Sequence, residues 1–203
     1  APHRPWEPAP RHAETLRHTK IVEPDTLHDD YSNRAHAAGA ATMRIDRDLN
    51  ATDLKEPTPE GLSEREEREW KYQRYIKDYL SCIASVDESV DALLDYLDDN
   101  GLTEDTIVVY TSDQGFFLGD HGWYDKRFMY EESLRMPFVI RYPREITPHA
   151  VCDDMILNVD FAPTFLDFAG VPIPSDMQGN SFRQLLNGKL PADWQTSMYY
   201  RYW

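Results

Sequence analysis

The amino-acid sequence predicts an α/β fold. Three observations carry that expectation: a long apolar repeat at helical spacing, a continuous β-branched run directly after it, and a second strand followed by two more helical segments. The helical repeat begins after Leu62. Tyr72, Tyr75, Ile76, Tyr79, Leu80, Ile83, Val86, Val90, Leu93, Leu94 and Leu97 recur at steps of three and four, which lines them along one stripe. Ser63 with Glu66 three positions later is a capping-box signature, and the acids of the first turn suit the positive end of the helix dipole. Asn100-Gly101 is the expected stop. "TIVVYTSD", from Thr106, is the kind of run that is covered on both faces of a parallel sheet, and "PFVIRYP" from Pro137 is a second strand closed by Pro143. "VDFAPTFLDFAGV" reads as a helix with Asp160 near its N-cap, Pro163 in its first turn and Gly170 past its end. "GNSFRQLLNG" reads as a short helix between Asn180 and Gly188.

The expected sheet is central, mostly parallel and flanked by helices. Residues 1–60, rich in Pro, His, Asp and Ala, read as a loop-rich arm with one short helix that must lie on something else. Residues 61–190 form the α/β portion, and 191–203, with the aromatic, strand-like "SMYYRYW", start a further region. The abrupt opening "APHRPWEPAPRH" and the uncapped end are expected of part of a longer chain, incomplete at both ends.

Composition narrows the function. With 203 residues and 41% hydrophobic content the chain can bury a core. Its formal charge of -15 disfavours nucleic acid and anionic membranes as partners, so an anionic substrate must meet a local positive cluster. No apolar run approaches the roughly 20 residues of a membrane span. Cys82 and Cys152 make no disulfide framework and lack zinc-site spacing; Cys82 is expected as a packed thiol. Helix acids such as Asp87, Asp91 and Asp95 read as a solvated face.

The chemistry concentrates in "TSDQGFFLGDHGWYDKRFMY", which begins at Thr111 where the first strand ends. In open α/β sheets ligands bind beyond the carboxyl ends of strands, and Asp113 and Gln114 stand there. A carboxylate and an amide carbonyl are hard oxygen donors, suited to Ca²⁺ or Mg²⁺ rather than zinc. Gly119 and Gly122 bracket Asp120 and His121, and Lys126 follows as a point charge able to reach an anion. Taken singly, each has an ordinary structural reading: a capping Asp, a loop His, a surface Lys. Together they suit a metal-anchored, anion-handling site.

"TIVVYTSDQGFFLGDHGWYDKRFMYEESLRMPFVIRYP" closely resembles the sulfatase family, within the alkaline-phosphatase-like superfamily, and especially its bacterial N-acetylglucosamine-6-sulfatase and heparan-type glycan sulfatase members. "RYIKDYLSCIASVDESVDALLDYLDDNGL" is similar to the family's preceding helix, "NVDFAPTFLDFAGVPIPSDMQGNSF" to a later segment, and "APHRPWEPAPRH" to a stretch carrying an active-site His. The resemblance implies a partial alkaline-phosphatase-like fold and hydrolysis of sulfate monoesters, in particular of sulfated carbohydrates. It makes Asp113 and Gln114 ligands of Ca²⁺, with Mg²⁺ as the alternative. Many members carry Asn or His where Gln114 stands. By the same resemblance His3 sits at the sulfate ester, Lys126 pairs with its oxygens, and Asp120 and His121 face the sugar. The family's nucleophile is a hydrated formylglycine made within Cys/Ser-x-Pro-x-Arg, and that motif is absent from these 203 residues. The chain by itself is therefore expected to be inactive. Two alternatives stand beside the sulfatase reading: a phosphonate or phosphodiester hydrolase of the same superfamily, and an inactive glycan-binding relative. The family suggests a periplasmic, secreted or lysosomal location; sequence leaves compartment and oligomeric state open.

Overall fold

The computed structural model describes residues 2–201. The Pro-rich opening runs through turns into three short helices, α1 (His36–Ala40), α2 (Ile45–Asp48) and α3 (Ala51–Leu54), where the sequence reading expects one. Only α3 has a full cap: Asn50 accepts from Thr52 and Asp53 backbone N–H groups, and the Asp53 carboxylate accepts from Asn50 N. Helices of four or five residues carry too little periodicity to show in a pattern search.

The long helix α4 (Glu64–Asp99) matches its predicted limits. Ser63 and Glu66 exchange the capping-box bonds, Ser63 N to Glu66 Oε2 at 2.8 Å and Glu66 N to Ser63 Oγ at 3.3 Å. At its end Leu102 N donates to Leu97 O at 2.8 Å, with Gly101 at φ +65°. The stripe is used unevenly. Tyr72, Tyr75 and Ile76 are buried and receive Trp6, Leu27, Ile45, Leu49 and Leu54 from the opening segment, which is what that segment lies on. Leu93 and Tyr96, further along, are 65% and 60% exposed.

The chain forms two units, Ala1–Tyr96 with Gln114–Pro137, and Leu97–Asp113 with Phe138–Trp203. Within the first, β2 (Phe117–Leu118) and β3 (Tyr124–Asp125) make an antiparallel hairpin, followed by α5 (Glu131–Leu134). For chain order, β1 (Val108–Thr111) precedes these and β4 (Phe138–Arg141) follows them; both belong to the second unit. β1 and β4 pair antiparallel, with Val109 opposite Ile140 and Thr111 opposite Phe138. The two sequence-predicted strands are thus correct, but among the described residues the pairing is antiparallel and β1 is half-buried rather than buried. A β-branched run reports that a strand forms, not the direction of its partner or how far its faces are covered within this chain.

The second unit continues with α6 (Phe161–Phe168), bounded as expected by Asp160 and Ala169-Gly170. Asp160 stands at the N-cap position without capping α6. Its buried carboxylate accepts instead from Leu157 N and Asn180 N, both at 2.8 Å, and from Gln195 Nε2 at 2.6 Å. "GNSFRQLLNG" is a single turn of 3₁₀ helix at Leu185–Asn187, and Asn180 caps nothing; its N–H is spent on Asp160. Residues 197–201 form no strand, and Tyr202 and Trp203 lie outside the described residues. Both cysteines are free thiols, Cys82 half-buried and Cys152 exposed. Among the described residues no helix is long and apolar enough to cross a membrane.

Candidate active site

The arm that carries His3 is fixed from behind. Trp6 is fully buried, with ring centroids 4.5 Å from Tyr75, 6.4 Å from Phe116 and 6.0 Å from Tyr124. Its carbonyl accepts from Lys55 Nζ at 2.6 Å, and the same ammonium reaches Asp78 Oδ2 at 2.7 Å. Arg4 grips Asp53 with a two-bond fork, Nε to Oδ1 at 2.6 Å and Nη2 to Oδ2 at 2.5 Å, and its Nη1 donates to Tyr124 Oη at 2.9 Å. The guanidinium also lies over the Tyr124 ring at 5.2 Å. The hydrogen bond to Asp53 raises the Arg4 pKa, against the opposing effect of burial. His3 itself is exposed, with Nδ1 3.0 Å from Arg4 O.

The loop after β1 is built with equally little freedom. Gly115 N donates to Ser133 O at 3.0 Å, and a Cβ at Gly115 would collide with the Glu132 carbonyl and lie 2.8 Å from that of Arg135. Only glycine lets the backbone after Gln114 press so closely on α5. Gly119, at φ +109°, leaves no room for a Cβ either, which would meet the Tyr72 ring at 2.5 Å. Asp120, next in line, is half-buried near Tyr72, whose hydroxyl is pushed up to about 12 by burial first and then by the Asp120 and Glu23 charges.

His121 is buried in an ionic cluster walled by aromatics. Its φ of +57° is a conformation non-glycine residues adopt reluctantly. That conformation is held by Thr26 Oγ1, which accepts from His121 N at 2.9 Å, and by Tyr31 Oη, which donates to His121 O at 2.5 Å. Nδ1 lies 3.0 Å from Asp29 Oδ2 and 3.2 Å from Arg34 Nη2, so it faces an acceptor and a donor at once. Arg34 shares that carboxylate, and Trp123 and Tyr130 face the imidazole with centroids 5.4 and 5.2 Å away. Burial alone would raise the Asp29 pKa; hydrogen bonds from Tyr31 N, His121 and Arg34 outweigh it and bring it down to about 2.

Lys126 follows β3, half-buried, with its ammonium 5.8 Å from the centroid of Phe116. Among the described residues no carboxylate forms an ion pair with it, in a chain with 36 acids to 21 Lys and Arg. Phe116 is the ring that Trp6 also touches, so the structure brings the His3 arm and the Lys126 loop onto one aromatic cluster.

The predicted cation ligands, Asp113 and Gln114, fall on either side of the boundary between the two units. Asp113 is exposed; its carbonyl accepts from Asn158 Nδ2 at 2.8 Å, and its carboxylate accepts from Ser112 Oγ at 3.3 Å and has no cationic partner among the described residues. An exposed carboxylate without a cationic partner is a hard oxygen donor of the kind Ca²⁺ or Mg²⁺ takes. A separate group of two carboxylates and an imidazole, Glu23, Glu69 and His28, places ligand atoms within 4.8 Å of one another. Arg65 Nε stands 2.9 Å from Glu69 Oε1 and Lys20 Nζ 3.6 Å from Glu23 Oε1, so the chain's own cations already balance it.

Sequence reasoning missed Arg4, Asp53, Tyr124, Asp29 and Arg34. The one visible signal was Arg4 itself, a cation next to the candidate His; its partner lies 49 positions away, which no local pattern reports. Cys82 is a packed thiol as expected, its pKa raised by burial and then by Asp78.

Residues 119–203 match the family described as N-sulphoglucosamine sulphohydrolase, C-terminal. Over its whole length the chain is 44% identical to an N-acetylglucosamine-6-O-sulfatase of Bacteroides thetaiotaomicron, 44% of which it covers. It superposes with a TM-score of 0.92 and 43% identity on the solved structure of BT4656 in complex with its substrate D-glucosamine-2-N,6-O-disulfate, covering all of this chain and 50% of that one. A phosphonate monoester hydrolase from Silicibacter pomeroyi matches 74% of the chain at 29% identity and a TM-score of 0.63, with 29% of its own length covered. The chain spans about half the length of the first two relatives.

Proposed function

Because the chain belongs to the sulfatase family, we propose that it contributes an acid–base arm and an anion-binding loop to the hydrolysis of sulfate monoesters on a glucosamine-type sugar. The observation that carries this reading is Lys126, a half-buried ammonium with no carboxylate partner among the described residues, on a loop that shares an aromatic cluster with the His3 arm. Leaving a cation unpaired amid so many acids is useful where an anion is to be taken up. The sugar class is supported by the relative named for N-acetylglucosamine 6-O-sulfate and by the disulfated glucosamine bound to BT4656.

Lys126 meets the sulfate oxygens, which gain charge as the S–O bond breaks. His3 gives a proton to the departing sugar oxygen, an alkoxide that would otherwise leave poorly near neutral pH. Asp113 and Gln114 would hold a divalent cation, Ca²⁺ or Mg²⁺, which would supply Lewis-acid polarisation of the sulfate oxygens. Asp120 and His121 are assigned to the sugar end, His121 through Nε2, the ring nitrogen that Asp29 does not engage. The formylglycine nucleophile of the family has no precursor motif in this sequence and belongs to residues outside it.

In the full-length protein, Lys126→Ala should lower kcat/KM on a glucosamine 6-sulfate by on the order of 10²-fold while leaving the melting temperature within about 2 °C. A fall in activity that only tracks loss of folded protein would sink the assignment. The phosphonate monoester hydrolase match supports a second reading, a phosphorus ester as substrate. Paired assays on sulfate and phosphonate monoesters decide it: a higher kcat/KM on phosphorus would replace the sulfatase reading.

A further inference from the structure

Resting on the reading of His3 as the proton donor, we infer that Arg4 is its positioning residue, and that the clamp of Arg4 on Asp53 and Tyr124 presents His3 Nε2 to the leaving group. His3 is exposed, so its own side chain has little packing to hold it. Among the described residues its ring bonds to the chain alone: Nδ1 lies 3.0 Å from Arg4 O. A carbonyl oxygen only accepts, so Nδ1 carries a proton in this arrangement and Nε2 is the nitrogen turned over to chemistry. The precision of that nitrogen is therefore the precision of the Arg4 backbone.

Three things hold residue 4 in place. Its guanidinium fork closes on Asp53, which is 2% exposed and itself bonded to Asn50 N, so the anchor is rigid. Its third donor reaches Tyr124 Oη on β3, two positions before Lys126. Trp6, two residues on, is sealed between Tyr75 and Tyr124. Arg4 thus ties the proton donor to the strand that leads into the anion-binding Lys. Misplacing a catalytic group by about 1 Å can cost on the order of 10²-fold in rate, so the clamp is worth as much as the group it aims.

A proton donor matters for a poor leaving group and little for a good one. The test is the ratio of kcat on a glucosamine 6-sulfate, with an alkoxide leaving group, to kcat on 4-nitrophenyl sulfate, measured in the full-length protein. Arg4→Lys keeps a positive charge for Asp53 and removes the fork. We expect it to lower the sugar-sulfate kcat by about 10- to 100-fold, with little change in KM and a much smaller effect on the nitrophenyl ester, as His3→Ala should also do. Tyr124→Phe, which leaves the Asp53 pair intact, should move the ratio the same way by less and guards against a poorly folded Arg4 variant. If His3→Ala shifts the ratio while Arg4→Lys and Tyr124→Phe lower both substrates equally or neither, the inference is overturned and the His3 reading stands. If His3→Ala itself leaves the ratio unchanged, the reading of His3 fails and takes the inference with it.

Discussion

The two units are held together by different physics. The first is an aromatic core: Trp6, Tyr75, Phe117, Trp123 and Tyr124 are all 0–1% exposed, and their rings meet edge to face. The second buries few large apolar side chains, chiefly Phe182 and Leu185, and exposes Val139 at 63%, Val159 at 50% and Phe165 at 43%. What organises it is polar. Asp160 gathers three donors from separate segments, and Arg183 joins Glu145 and Asp167 while lying over the Phe168 ring. A packed aromatic core tolerates no loss of volume, whereas a charged hub tolerates no loss of one atom pair.

The largest effect should come from breaking the aromatic side. Trp6→Ala is expected to destabilise the first unit by about 3–5 kcal/mol, because the cavity is walled by rings that cannot collapse into it. Denaturant unfolding followed by near-ultraviolet circular dichroism measures it. A loss below about 1 kcal/mol would mean the arm is only loosely seated. Next, Asp160→Ala should cost about 3 kcal/mol, since it strands the Leu157 and Asn180 N–H groups and the Gln195 amide. Hydrogen exchange should then speed up at residues 157–182 and leave the first unit unchanged; uniform acceleration would erase the contrast between the units.

The smallest effect separates them by acid. Asp29 titrates at about 2 in the folded chain against an ordinary value of 3.8, so its folded pKa is depressed. Its contribution, on the order of 1–2 kcal/mol, is complete above about pH 4 and vanishes as the pH falls through about 2. Asp29→Asn should therefore flatten the acid dependence of the first unit's stability between those values. An unchanged pH profile would show that the His121 cluster does not hold Asp29 ionised.

How far the sequence could be read depends on how local the information is. The limits of α4 and α6 were legible because Ser63, Glu66, Gly101 and Gly170 act on neighbours within four residues. The candidate loop was legible for the same reason, its residues lying within sixteen positions. Strand direction was not, since Val108 and Arg141 must be brought together across 33 positions by the intervening chain. Nor was the role of Asp160, whose residue type fits a cap equally well, or the Arg4–Asp53 clamp, whose halves are joined only by the fold.

The unpaired Lys126 ammonium has a consequence for how a ligand arrives. At physiological ionic strength charges are screened beyond roughly 8 Å, so on the proposed reading a sulfate monoester, a monoanion, nearing a chain of formal charge -15 would feel repulsion first and meet the ammonium only at close range. On that reading capture by this segment would work as a short-range latch rather than a long-range funnel: salt that screens the surrounding acids would quicken the encounter, while the half-buried contact would be less weakened. Discrimination would follow from the same arrangement, because a ligand too bulky to bring its anionic group down to Lys126 would meet the repulsion without the attraction.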